Sequence, residues 1–436
     1  MFIDKKLLLH NRDEKIRFEL NLNNEEIEAS FKKEKFQKMS ASPYAFYRGS
    51  NHLYWEDFYN DWRISFFGGT SSTLTWINGD AHIYNYGAYT NLNGDAVFCM
   101  DDFDDSVVAD YQFDLWRMAI SIVLDCRDNN VFDLSTIKEA LQVFSKAYMH
   151  EMIMHNDADP ENEVHLTKST SKGLLNKFLE KVEKKKSRIK MLDKWTAFEG
   201  DQRKFNFENK KLEQLTEVEY KKIEEILKPY SEMLNEKFND KEASFQLKDI
   251  AKRINAGTGS LGSSRYYILL EGLTLSPDDD LILDMKEQGR PPVYRHMSKE
   301  EKVEYAKAYP NEGERHAHAF EALAEHVDKY LGALNVDGIS FSIKERSPMK
   351  SDFPSEKLKK PSELYFMADV WGEILASRHK RASYVLNDNA YEMPNAINDM
   401  LANKKEEFQD LVSSIALQYA DRVKLDYACF LKMGSE

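Results

Sequence analysis

The stretch Gly79-Asp80-Ala81-His82-Ile83-Tyr84-Asn85, followed by Met100-Asp101-Asp102-Phe103-Asp104, decides how this chain is read. Asp80 is a carboxylate that can take a proton. Asn85, five residues on, offers a side-chain carbonyl that can meet a hard cation. Thr73 to Asn78 ahead of them is a short β-type run. Between the two motifs, Tyr86 to Asn91 and Ala96 to Asp102 read as strands joined by Leu92-Asn93-Gly94-Asp95. Asn-Gly tolerates positive φ at both positions, so a hairpin is expected, and it returns Asp102 to the point that Asn85 leaves. Residues 112–126 then carry a helical apolar face of Phe113, Trp116, Ile120, Val123 and Leu124.

A second group lies far downstream. Gly257-Thr258-Gly259-Ser260-Leu261-Gly262 fits G-x-G-x-x-G, a pattern shared by dinucleotide-binding folds and kinases. A dinucleotide site requires a helix directly after the glycines, whereas Arg265 to Leu270 is aromatic and branched. Strand, glycine loop, strand is the kinase arrangement. Leu281-Ile282-Leu283 continues the β-type block, and Lys286 follows among apolar neighbours, as a phosphate-pairing lysine should. Segment 314–331 reads as a helix with the stripe Ala317, Phe320, Ala324, Val327 and Leu331; Glu321, beside that stripe, is the favoured partner of Lys286, with Glu314 at the frayed start and Glu325 one turn on as alternatives. His316, His318 and His326 share no helical face and are expected at the surface. The D-x-H triplet at Asp80 also opens phosphoesterase metal sites, but the further loops such a site requires are missing.

Composition narrows the classes. With 436 residues, 42% apolar content and 25 Phe, the chain can bury a sizeable core. Met118 to Leu124 is far short of a membrane span, and the charged start Met1-Phe2-Ile3-Asp4-Lys5-Lys6 lacks a signal peptide's apolar core. Three scattered cysteines make neither a disulfide scaffold nor a zinc cluster. A cytoplasmic protein is expected. The net charge of −14 argues against nucleic acid as a partner.

Ser42-Pro43-Tyr44-Ala45-Phe46-Tyr47-Arg48-Gly49, the 79–85 loop with Gly87, Asp102-Phe103-Asp104 and Asp114-Leu115-Trp116-Arg117 resemble the bacterial family called domain of unknown function 2252. So do Gly257 to Gly262, Gly372-Glu373-Ile374-Leu375-Ala376 and Gln418-Tyr419-Ala420-Asp421. The 79–117 block also resembles aminoglycoside phosphotransferases and choline kinases, in which G-D-x-H-x-x-N precedes I-D-F/W and an Asp-Leu-Ala helix. Asp102 and Asp114 are twelve residues apart, which leaves no room for the activation segment of protein kinases. In the phosphotransferases the helix before the catalytic loop ends in a pattern like L-A-x-x-H. Here Leu375-Ala376-Ser377-Arg378-His379 lies near the C-terminus, so the order of parts implies a circular permutation. Asn78 stands where those kinases have His, so the bracing of the loop must differ.

The resemblance implies an α+β, protein-kinase-like (aminoglycoside phosphotransferase-like) two-lobed fold, circularly permuted, with extra helices. Residues 1–72 are expected as an N-terminal helical segment, 73–150 as the catalytic-loop part of the C-lobe, and 151–245 as a helical C-lobe insert. Residues 246–350 would form the nucleotide-binding β-rich N-lobe, and 351–436 the helices completing the C-lobe. The implied activity is phosphotransfer from Mg-ATP to a small hydroxyl- or amino-containing acceptor, with Asp80 as base and Asn85, Asp102 and Asp104 as Mg2+ ligands. Lys286, held by Glu321, would clamp the α/β-phosphates, and Gly257, Gly259, Ser260 and Gly262 would cover the β/γ-phosphates. Nucleotidyl transfer to a protein and non-catalytic nucleotide binding are alternatives on the same fold.

Overall fold

The computed structural model describes residues 11–154, 164–238, 245–254, 262–324, 326, 328–387, 389 and 391–433. The fold is mixed α+β. Its first part is helical, with Arg12–Asn23, Ala29–Met39, Pro43–Gly49 and Asn51–Phe58 ahead of strand β1, Leu74–Ile77. The hairpin of β2 (Tyr86–Thr90) and β3 (Ala96–Met100) pairs antiparallel, and Gly94 turns it at φ +88°. Strand β4 (Val107–Asp110) returns to pair with β1 and leads into helix Gln112–Asn129. That helix is buried from Gln112 to Cys126, as a helix surrounded by other elements must be.

Around it pack helices Leu134–Met154, Pro361–Asn387 and Lys405–Met433, with β1 to β4, in one large apolar cluster. Leu134–Met154 and Pro361–Asn387 approach closely because Gly372 has no side chain; a Cβ there would strike the Phe144 carbonyl.

A six-stranded antiparallel sheet forms the second body, in the order β11-β12-β10-β9-β8-β7. Its strands are β7 (Leu212–Glu213), β8 (Leu247–Arg253), β9 (Arg265–Leu270), β10 (Leu281–Glu287), β11 (Gly332–Val336) and β12 (Ile339–Glu345). Side chains alternate between its faces. Ile250, Ile268, Leu283, Met285 and Ile343 face helix Glu217–Lys237. On the other face, Leu269 and Ile282 pack beneath Met191, Leu192 and Trp195 of helix Arg188–Trp195. Farther along, that second face turns polar, because register places Lys286 beside Arg265 and Ser342, and Asp284 beside Tyr267 and Lys344.

Two expectations need correction. Residues 151–245 are not wholly helical: β5 (Thr196–Glu199) and β6 (Gln202–Phe205) form a hairpin, and β7 joins the large sheet. The 314–331 helix runs instead over Glu312–Leu323. Its apolar stripe continues to Leu331, but the Asp328 carboxylate accepts the backbone N–H groups of Tyr330 and Glu345 and ties that turn to the sheet. Among the described residues, no helix is long and apolar enough to cross a membrane.

Candidate active site

The loop after β1 is held from below by one buried carboxylate. Asp114 accepts the backbone N–H of Asn78 at 2.6 Å and of Gly79 at 2.9 Å. The His379 Nε2 lies 3.2 Å from the same carboxylate, and the Tyr148 hydroxyl lies 2.9 Å from His379 Nδ1. With an ionised Asp114, His379 donates through Nε2–H and accepts from Tyr148 through Nδ1. The Thr75 hydroxyl donates to the His379 carbonyl at 2.9 Å, so the helix bearing His379 is fastened to the strand that enters the loop. Gly79 turns the chain at φ +76°, where a Cβ would run into the Asp105 carbonyl.

Asn78 takes over the bracing on the upper side. Its Nδ2 donates to the Asp102 carbonyl and its Oδ1 accepts the Asp80 N–H at 3.2 Å. Asn85 directs Nδ2 to the Asp80 carbonyl at 2.9 Å, and its own carbonyl accepts the Asp101 N–H at 3.1 Å. Asp80, Asn85 and Asp102 therefore converge through short backbone links.

Asp80 is partly open to solvent, and its Oδ1 accepts from the Arg117 guanidinium, with Nε at 2.7 Å. Arg117 is fully buried, its cation 4.3 Å from the Tyr47 ring centre. Burial raises the Asp80 carboxyl, and Arg117 opposes that rise. The other Asp80 oxygen faces His82 Nε2 at 3.7 Å, while Arg48 donates to that same nitrogen at 3.2 Å. Burial, with Arg48 and Arg117 close by, drives the His82 pKa well down, so His82 is neutral.

Across the cleft, Lys286 of β10 forms an ion pair with Asp104. Gln288 donates to the other Asp104 oxygen at 2.9 Å, and His316 stands 3.7 Å from it. Lys286 above all, against the cost of burial, holds the Asp104 carboxyl far below its ordinary range. Asp102 is exposed at the cleft mouth; enclosure first and Asp104 second push its carboxyl up. Arg315, fully buried, joins the two bodies: it donates to the carbonyls of Ser106 at 2.5 Å, Asp104 at 2.7 Å and Gly289 at 3.1 Å. The cavity between the walls holds about 440 Å3 and is lined by Asp101, Asp102, Asp104, Arg265, Lys286 and Lys344, among others. That volume suits a small-molecule ligand.

Of the expected residues, Asp102, Asp104 and Lys286 share this cavity, with Asp80 and Asn85 linked to its edge. Gly257, Gly259 and Ser260 lie outside the described residues; Gly262 is described, at φ +94°. Glu321 is exposed on helix Glu312–Leu323, whose buried side carries Arg315, His316, Ala319 and Phe320; Lys286 takes Asp104 instead. His316, expected at the surface, is buried. Among the described residues no three His, Cys, Asp or Glu side chains group as a metal site. Arg117 and Arg315 had not been singled out. Each had a signal, since a guanidinium within an apolar helix face demands a buried partner.

A family model described as an uncharacterized protein conserved in bacteria (DUF2252) matches residues 29–433, and the chain belongs to that family. No curated protein and no solved structure matches it.

Proposed function

We propose that this member of the DUF2252 family is a Mg-ATP-dependent phosphotransferase of permuted kinase-like architecture, acting on a small hydroxyl- or amino-bearing acceptor. The observation that carries the reading is the ion pair of Lys286 and Asp104. It joins residues 182 apart in one cavity with Asp102. The bond from Thr75 to His379 supports the permutation, because it sets helix Pro361–Asn387 against the strand entering the loop.

The donor set fits a hard cation that keeps most of its other ligands as water or phosphate. Asp102 is an open carboxylate, and Asn85 has its amide nitrogen committed to the loop, which reserves its Oδ1. Mg2+ held by these two would neutralise phosphate charge. Asp80 stands as the base: Arg117 fixes one oxygen, and the second is left to take the acceptor's proton as its oxygen or nitrogen attacks the terminal phosphorus and ADP departs. His82, its basicity lowered by burial and by Arg48, does not compete with Asp80 for that proton.

Thermal unfolding with and without Mg-ATP tests the reading. Ligand at about 100 times Kd should add about 2.7 kcal/mol of stability. The absence of any shift with every purine nucleotide and metal would end it. Incubation with ATP labelled at the γ- or α-phosphate then separates phosphoryl transfer from nucleotidyl transfer by which label reaches the acceptor.

A further inference from the structure

The cations of the cleft are not equally occupied. Arg265 is answered by Asp284, Lys286 by Asp104, Lys350 by Asp101 at 3.0 Å, and Arg188 by Glu345 at 2.6 Å. Lys344 enters the same cavity from β12 with neither a hydrogen bond nor an ion pair among the described residues. Its ammonium rests 4.7 Å from the Phe320 ring centre. Register sets it opposite Asp284, but both Asp284 oxygens are taken by Arg265. The other acids that face it are Asp101 and Asp104, already paired with Lys350 and Lys286, Asp328, which accepts two backbone N–H groups, and the open Asp102, while Lys350 repels it. A half-buried ammonium without a counter-ion is unfavourable, and an anionic ligand removes that cost.

We propose that Lys344 is a second phosphate-binding lysine, meeting the phosphates of a nucleoside triphosphate while Lys286 stays tied to Asp104. The choice of ligand rests on the phosphotransferase reading; the charge argument requires only a polyphosphate. A phosphate can engage Lys344 without sharing it with any existing ion pair, whereas at Lys286 it must share the ammonium with Asp104. The polar face of the sheet is then divided in labour: Lys286 holds the two bodies together, and Lys344 holds the ligand.

Calorimetric titration of the full chain with Mg-ATP, inorganic tripolyphosphate and adenosine tests this in wild type, Lys344→Met, Lys344→Arg and Lys286→Met. Lys344→Met should weaken Mg-ATP and tripolyphosphate by about tenfold or more and leave adenosine unchanged. Lys344→Arg should recover most of the loss. The ligand-free melting temperature of Lys344→Met should stay close to that of wild type, since only the cation–π contact with Phe320 is lost and an unanswered ammonium goes with it. If Lys344→Met bound both phosphates like wild type while Lys286→Met did not, the proposal would fall and the kinase reading would stand. Tripolyphosphate bound through Lys344 with no preference for ATP would keep the lysine and remove the kinase reading. Wild type that bound neither phosphate would overturn both.

Discussion

The two walls of the cleft are built differently. On the loop wall, Asp114, Asn78 and His379 meet backbone and side-chain partners at short range, all within the core. On the sheet wall, Arg265, Lys286 and Lys344 stand side by side on one face of three adjacent strands, and one of them lacks a counter-ion. Interior hydrogen bonds fix geometry, because each broken one leaves a buried group unsatisfied. Excess charge on an open face fixes little, but it attracts an oppositely charged ligand. The loop wall suits chemistry that needs exact placement of a base, and the sheet wall suits capture.

The largest effect should come from replacing Asp80, the proposed base. Asp80→Asn keeps an acceptor for Arg117 and should lower turnover by about 10²–10⁴-fold with nucleotide affinity nearly unchanged. Asp102→Ala should do the reverse and weaken metal-nucleotide binding, since it removes an open carboxylate. Steady-state kinetics beside equilibrium titration separates the two; full turnover in Asp80→Asn would remove its role. Next in size is Gly79→Ala. The left-handed φ and the collision with the Asp105 carbonyl should together cost about 3 kcal/mol or more. Gly94→Ala, also at positive φ but with open space around it, should cost only about 1 kcal/mol. Denaturant unfolding of the pair compares them, and equal losses would show that the loop wall is not sterically held.

Local signals made part of this legible. Asn93-Gly94 announced the hairpin, and the branched and aromatic run Tyr266 to Leu270 announced β9. The charged hairpin Gln202-Arg203-Lys204 carries no such alternation, since Trp195 and Phe205 are buried by contacts made elsewhere in the chain. The partner of Lys286 was hidden for the same reason. Asp104 and Glu321 are equally good anions in sequence, and only the packing of helix Glu312–Leu323, with His316 inward, turns Glu321 away. Asn78 in place of His did indicate altered bracing, and its bonds to Asp80 and Asp102 supply it.

The smallest effect concerns a carboxylate of the loop wall. Half-buried Asp105 has its carboxyl pushed up to about 7, by burial first and by the charge of Asp80 next, against a hydrogen bond from Asn51 at 2.7 Å. A carboxyl with a raised folded value holds its proton in the native state at pH values where the unfolded chain has lost it. Below its ordinary value of 3.8 both states are protonated and stability is unaffected. As pH rises from there to about 7 the native state is progressively penalised, and above that the penalty is complete. Asp105→Asn keeps an oxygen for Asn51 and cannot ionise. Partial exposure screens the charge, so the variant should exceed wild type by about 1 kcal/mol at alkaline pH. The advantage should shrink steadily as pH falls through the interval. Urea unfolding of both proteins across that range reads the difference directly. Parallel stability curves would mean that Asp105 ionises freely, and that the carboxylates of the loop wall do not feel one another.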